Sequence, residues 1–162
     1  AELLKLIVFK LVYVFMHIVL PIFILGMVWW QVLVGFILMQ MIAGFLLSVI
    51  FQLAHVVEDT TYVLPDEDGN IENSWAVHQL YTTANFAKRR KFLSWFIGGL
   101  NYQIEHHLFP YISHVHYPKI AEIVKKTAQE FQLPYFEYQT FREAVASHWR
   151  QLRALGRKPA LT

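Results

Sequence analysis

Between Leu11 and Val57 the chain carries 47 consecutive residues without Asp, Glu, Lys or Arg. As one helix they would run roughly 70 Å, more than twice a hydrocarbon core of about 30 Å. The segment must therefore fold back on itself. Pro21, Gly26 and the Trp29-Trp30 pair mark the turn, because tryptophan favours the membrane–water boundary. Two transmembrane helices are predicted, over about 6–25 and 30–53. A buried soluble hairpin is the alternative, but so long an uncharged run is out of proportion in a chain this short. The pattern then inverts: Glu58 to Glu72 holds six acidic residues and no basic one. Pro65 and Asp68-Gly69-Asn70 give this stretch turn chemistry, so 58–74 reads as a solvated acidic loop. Gly69 follows Asp66 too soon for an EF-hand calcium loop.

Trp75 to Phe86 and Phe92 to Leu108 read as helical. The apolar part of the second, Phe92 to Leu100, is too short to span a bilayer and belongs in the interface or against the bundle. Pro110 ends it. From Pro118 the period becomes amphipathic, with Ile120, Ile123, Val124, Ala128 and Phe131 forming a stripe that ends before Pro134. Thr140 and Glu143 form a capping-box pattern ahead of a last helix carrying Phe141, Val145, Trp149 and Leu152, stopped by Gly156 and Pro159. The expected class is all-α: an integral membrane helical hairpin with a cytoplasmic cap of amphipathic helices over 118–156.

Composition narrows the chemistry. The 162 residues are 56% hydrophobic and contain no cysteine, which excludes disulfides, thiolate nucleophiles and iron–sulfur clusters. The net charge of +2 is too small and scattered to indicate a nucleic-acid partner. Lys5 and Lys10 precede the first span and Lys88-Arg89-Arg90-Lys91 follows the second, which places both ends on the cytoplasmic side. The basic run suits lipid phosphates better than a nuclear signal. A secretory signal peptide does not fit, since the apolar region is too long and no small-residue cleavage site follows it. The start at Ala1 inside an apolar segment reads as a fragment or a processed chain.

Gln103, His106 and His107 lie at i, i+3 and i+4, so on a helix their side chains leave one face. Two neutral imidazoles from one turn can enter the same coordination sphere of iron, copper or zinc. His55, at the exit of the second span, returns to the same boundary. Three imidazoles at one depth make a partial metal site and not a complete one. Of the remaining histidines, His17 lies within the first span and either serves function or bonds a neighbouring helix. His78 has no evident partner, His114 and His116 suit headgroup or surface contact, and His148 reads as solvated. His17 and His55 as axial ligands of a haem are a rival reading, and a purely structural membrane domain is another.

Trp95-Phe96-Ile97-Gly98-Gly99-Leu100-Asn101-Tyr102-Gln103-Ile104-Glu105-His106-His107-Leu108-Phe109-Pro110 closely resembles the third histidine box of the membrane fatty acid desaturases. Glutamine in place of the first histidine is typical of the front-end, linoleoyl-CoA or delta-6-like members. Phe51 to His55 looks like the exit of the family's fourth membrane helix, His78 to Asn85 like the segment before the box, and His114 to Pro118 like its continuation. The resemblance implies a four-helix membrane fold of which this chain is the C-terminal part. It also implies a non-haem di-iron centre at the cytosolic face, using O₂ and two electrons to introduce a cis double bond into an acyl chain. On that basis His55, His106 and His107 would be iron ligands. Gln103 would bind iron directly, bind it through water, or orient a ligand. Asn101 and Glu105 would orient the imidazoles. An acyl-CoA or acyl-lipid substrate and a ferredoxin or cytochrome-type electron donor are implied as well. The HxxxH and HxxHH boxes of the family are absent, so the 162 residues alone are expected to be inactive. A related di-iron hydroxylase is the nearest alternative.

Overall fold

With apolar side chains at nearly every position, the first 50 or so residues can satisfy their backbone polar groups only within the chain, and helix is the form that does so. The computed structural model describes residues 2–71 and 73–157. Glu72 of the acidic loop and the Pro159 stop lie outside the described residues. Two units are distinguished, Ala1–Leu47 and Ser48–Thr162.

In the first unit, α1 (Glu2–Val14) continues without interruption into a π-helical segment, Phe15–Ile24. Pro21 sits inside this wider segment, where the looser winding accommodates a residue that lacks an N–H and crowds the preceding turn. The turn falls at residues 25–28, between the predicted spans, and α2 (Trp29–His55) begins at the tryptophan pair. Tyr13 donates to Gln40 Oε1 at 2.8 Å, and the His17 ring lies 6.3 Å from Phe36. These pairs are centred on the turn, so the two helices run antiparallel as predicted. Glu2–Ile24 and Trp29–His55 are both long and apolar enough to cross a membrane. Their apolar side chains point outward almost throughout, and Val32 is the one residue buried in the first unit among those described. A soluble core helix would bury that surface; these helices present it to their surroundings.

The second unit contains the end of α2, α3 (Trp75–Thr82), β1 (Ala84–Phe86), α4 (Lys91–Phe96), α5 (Gln103–Leu108), a 3₁₀ turn at His114–His116, α6 (Tyr117–Glu130), β2 (Phe136–Tyr138) and α7 (Phe141–Leu155). The protein is mostly helical, as expected. The two short strands are an addition that hydropathy did not announce. They pair in parallel, with Asn85 opposite Glu137. The helix expected over Trp75–Phe86 therefore stops at Thr82 and finishes as β1. The helix expected over Phe92–Leu108 is broken in two by Gly98 and Gly99, whose φ values of +61° and +75° no helix contains. At Gly99 a Cβ would sit 2.7 Å from the Cβ of His114, so glycine there also permits the closest packing of this loop.

Two cores result. Ile50, Leu53 and Ala54 of α2 pack with Phe86, Ala87, Ile97 and Ala144, while Leu80, Ile104, Val124 and Ala128 form the other. The buried face of α6 is Tyr117, Ala121, Val124 and Ala128, one step round from the predicted stripe, and Ile123 and Phe131 are exposed. Likewise α7 buries Ala144 and Ser147 and leaves Trp149 outside. The Thr140–Glu143 capping box forms as predicted, with both reciprocal hydrogen bonds present.

Candidate metal centre

α5 is only six residues long, and its placement comes from a buried asparagine rather than from its own propensity. Asn85, on β1, accepts the backbone N–H of Ile104 at 3.0 Å and donates to Glu105 Oε2 at 2.8 Å. Tyr135 donates to the other Glu105 oxygen at 2.8 Å. Gln103, Ile104 and Glu105 are fully buried, while His106 and His107 emerge half-buried. Burial lifts the Glu105 carboxyl above the usual carboxylate range.

Three of the predicted ligands gather around this helix. The His55 and His107 rings are 5.0 Å apart between centroids, and His106 and His107 are 5.9 Å apart. Each ring is held through Nδ1. His55 Nδ1 is 3.4 Å from the carbonyl of Thr82, one of the unsatisfied carbonyls at the end of α3. His107 Nδ1 is 2.6 Å from Gln79 Oε1. Carbonyl and amide oxygens only accept, so both rings carry the proton on Nδ1 and leave the Nε2 lone pair free. His106 Nδ1 lies 3.2 Å from the hydroxyl of Tyr117, the first residue of α6. Burial, reinforced by the neighbouring His55 and His106 rings, holds His107 down at about 4. The ring is therefore neutral at physiological pH, the state a metal requires.

Gln103 is the fourth predicted ligand. Both its amide nitrogen and its amide oxygen are buried without a hydrogen-bond partner. Orphaning one buried polar group costs about 1–3 kcal/mol, so two on one side chain with no partner among the described residues leave an amide open to a ligand. Neutral imidazoles anchored through Nδ1 beside an unpartnered amide fit iron in donor type and in protonation state. The set is nevertheless incomplete. Among the described residues, no three His, Cys, Asp or Glu side chains converge closely enough to hold a metal ion.

The residues expected to orient the imidazoles behave otherwise. Glu105 is engaged by Asn85 and Tyr135, and Asn101 donates to Ser94 Oγ at 2.8 Å and to the Ala87 carbonyl at 3.5 Å. Neither bonds a histidine, because both side chains point into the packed interior that shapes the loop before α5. The groups that hold the rings are Thr82, Gln79 and Tyr117, which the sequence did not single out. Only His78-Gln79, one position away on the helix before the box, carried a hint. His148, expected to be solvated, places Nδ1 2.7 Å from the Val56 carbonyl. His17 places Nδ1 2.9 Å from the Tyr13 carbonyl on its own helix.

Directly after His107, Leu108 and Phe109 enter the wall of an apolar cavity of about 330 Å³, shared with Trp75, Leu80, Val124 and Leu133. A neutral metal-type donor set and an apolar cavity thus lie on consecutive residues.

The family model described as fatty acid desaturase matches residues 4–139. The chain is 48% identical over 128 residues to a sn-1 linoleoyl-lipid 6-desaturase of Synechocystis sp. (78% of this chain, 36% of the relative). It is 47% identical to an acyl-lipid (8-3)-desaturase of Physcomitrium patens (72% and 24%), and 43% identical to an acyl-lipid (8-3)-desaturase of Mortierella alpina (80% and 29%). It spans about a quarter to a third of the length of these curated relatives. No solved structure matches it significantly. The chain belongs to the fatty acid desaturase family.

Proposed function

We propose that these residues form part of an integral membrane acyl-lipid desaturase in which His55, His106, His107 and Gln103 are iron ligands. The observation that carries this reading is the protonation pattern: rings tethered through Nδ1, free at Nε2, beside a buried amide with no partner. A di-iron centre completed by further ligands would activate O₂ with two electrons, so that two hydrogens leave adjacent methylenes and a double bond forms. This chain's own contribution is to hold imidazoles neutral, to fix their tautomers, and to offer an apolar cavity to an alkyl chain. Relatives named as acyl-lipid desaturases support a lipid-borne acyl chain. Residues 6–25 and 30–53 are the spans, 58–74 an acidic loop, 92–110 the histidine-box segment and 118–156 the cytoplasmic cap. The centre faces the cytoplasm, where a ferredoxin or cytochrome-type donor reaches it. Because the ligand set here is about half of what a di-iron site needs, the 162 residues alone are inactive.

The test is iron content and fatty-acid product profile of the full-length protein, against a His106→Ala/His107→Ala variant. Two irons per chain and a new double bond, both lost in the variant, are expected. Iron and product that survive the substitution would overturn the assignment. A hydroxylated product would replace desaturation by hydroxylation.

A further inference from the structure

α4 presents an outer face with no partner in the chain. Phe92 and Trp95 are 76% and 73% exposed, and Phe96 is exposed beside them. The three rings form one cluster, with Phe92 6.0 Å from Trp95 and 6.3 Å from Phe96. The residues immediately before this cluster are Arg89, Arg90 and Lys91, all exposed, and among the described residues none of the three is within ion-pair distance of a carboxylate. Lys88 differs: it pairs with Glu137 at 3.2 Å and is spoken for. Three exposed aromatic rings are unfavourable in water, and beside three unpaired cations they suit a bilayer surface.

The inner side of the same segment fixes its depth. Leu93 and Ile97 pack against Ile50, Leu53 and Ala54, the last two turns of α2. With α2 read as a membrane span, α4 is tied to the level where that span leaves the hydrocarbon. Beside it lies a cavity of about 370 Å³ whose wall includes Arg89, Lys91, Ser94, Trp95 and His114. The wall is mostly apolar, and Arg89, Lys91 and Ser94 bring cationic and hydroxyl side chains to it beside the Trp95 indole, a mixture that suits a phosphate-bearing lipid at the membrane surface.

We infer that α4 and the preceding basic turn are an in-plane membrane anchor, and that the cavity between Arg89, Lys91 and His114 seats the headgroup of an anionic phospholipid. The inference rests on the spanning role of α2 and is independent of the iron assignment. Cations near an anionic leaflet contribute about fivefold each in binding. Removing Arg89 and Lys91 is therefore expected to lower the preference for anionic over zwitterionic lipid by roughly 25-fold.

The test uses the full-length protein in nanodiscs of phosphatidylcholine with or without phosphatidylglycerol. No cysteine occurs in these residues, so Phe92→Cys, in a parent cleared of any other cysteine, gives one site for a fluorophore, with Glu67→Cys in the acidic loop as the solvated control. The Phe92 label should be quenched by a lipid-borne quencher near the headgroup and protected from aqueous iodide, while the Glu67 label shows the reverse. Equal iodide quenching at the two sites overturns the anchor. Lipid retained after purification should be enriched in phosphatidylglycerol, and Arg89→Gln/Lys91→Gln should abolish that enrichment. Both changes are on exposed side chains, and an unchanged Phe92 depth in the double variant shows that it has folded. Enrichment that persists in the double variant overturns the headgroup seat, as does its displacement by inorganic phosphate, which would make the ligand a free anion.

Discussion

His107 keeps its working tautomer because Gln79 accepts its Nδ1 proton at 2.6 Å. Gln79→Leu should lower iron retention of the full-length protein by roughly ten- to a hundredfold, the usual cost of removing a group that orients a metal ligand. Gln79→Glu, which keeps the acceptor, should restore most of it; iron per chain after dialysis reads both. Gln103 makes a prediction of opposite sign for stability and for metal. Its buried amide has no hydrogen-bond partner among the described residues, so under the proposed ligand role Gln103→Leu should raise the melting temperature of protein stripped of iron while lowering bound iron. A fall in both would show that the amide has a structural partner instead. That His55, His106 and His107 meet was legible in the sequence, since the pair shares a helix turn and His55 returns to the same boundary. Their holders were not. Gln79 and Thr82 come from α3 and Tyr117 from α6, and they meet the rings only through tertiary packing.

Among the elements, what could be read depended on whether the signal was local. The Thr140–Glu143 box is a four-residue pattern and appeared as expected. The parallel β1–β2 pair has no such pattern, because three residues are too few for a period-two signal and the partners lie about 50 residues apart. This pair carries a pH-sensitive contact. Burial pushes the Glu137 carboxyl up, but the Lys125 ammonium at 2.9 Å and Lys88 at 3.2 Å pull harder, and its value falls below the ordinary 4.5. A carboxyl depressed on folding stabilises the protein above its unfolded value, and the contribution is lost as pH falls through the folded one. Thermal stability should therefore drop as pH falls below about 4.5, and Glu137→Gln should flatten that part of the curve. A variant with an unchanged acid slope would place the sensitivity elsewhere.

Over the whole molecule, long uncharged runs were the most legible feature, because a hydrocarbon core constrains length and composition together. The two candidate spans begin and end within a few residues of their predicted limits. The turn falls between them where the spans left room for it, and of its three markers only Pro21 stands inside a helix, absorbed by a widened winding. Surface as apolar as that of Glu2–Ile24 and Trp29–His55 has no stable exposure to water. The protein should therefore stay with the membrane through high-salt and alkaline washes and be released only by detergent. Release by salt alone would mean that the helices lie on the bilayer and do not cross it.

Tyr135 accepts a hydrogen bond from Asn85 and donates one to Glu105, contacts that span 50 and 30 residues of chain. A ribosome adding about 5–20 residues per second needs roughly 1.5–6 s to go from Glu105 to Tyr135. During that interval His106 and His107 have already been made, while the strand that steadies their helix has not. A nascent chain offers loose imidazoles to any passing divalent cation, and the affinity order of such ions favours copper and zinc over ferrous iron. If these imidazoles bind iron as proposed, faithful loading is a matter of timing, with selectivity deferred until β2 has docked.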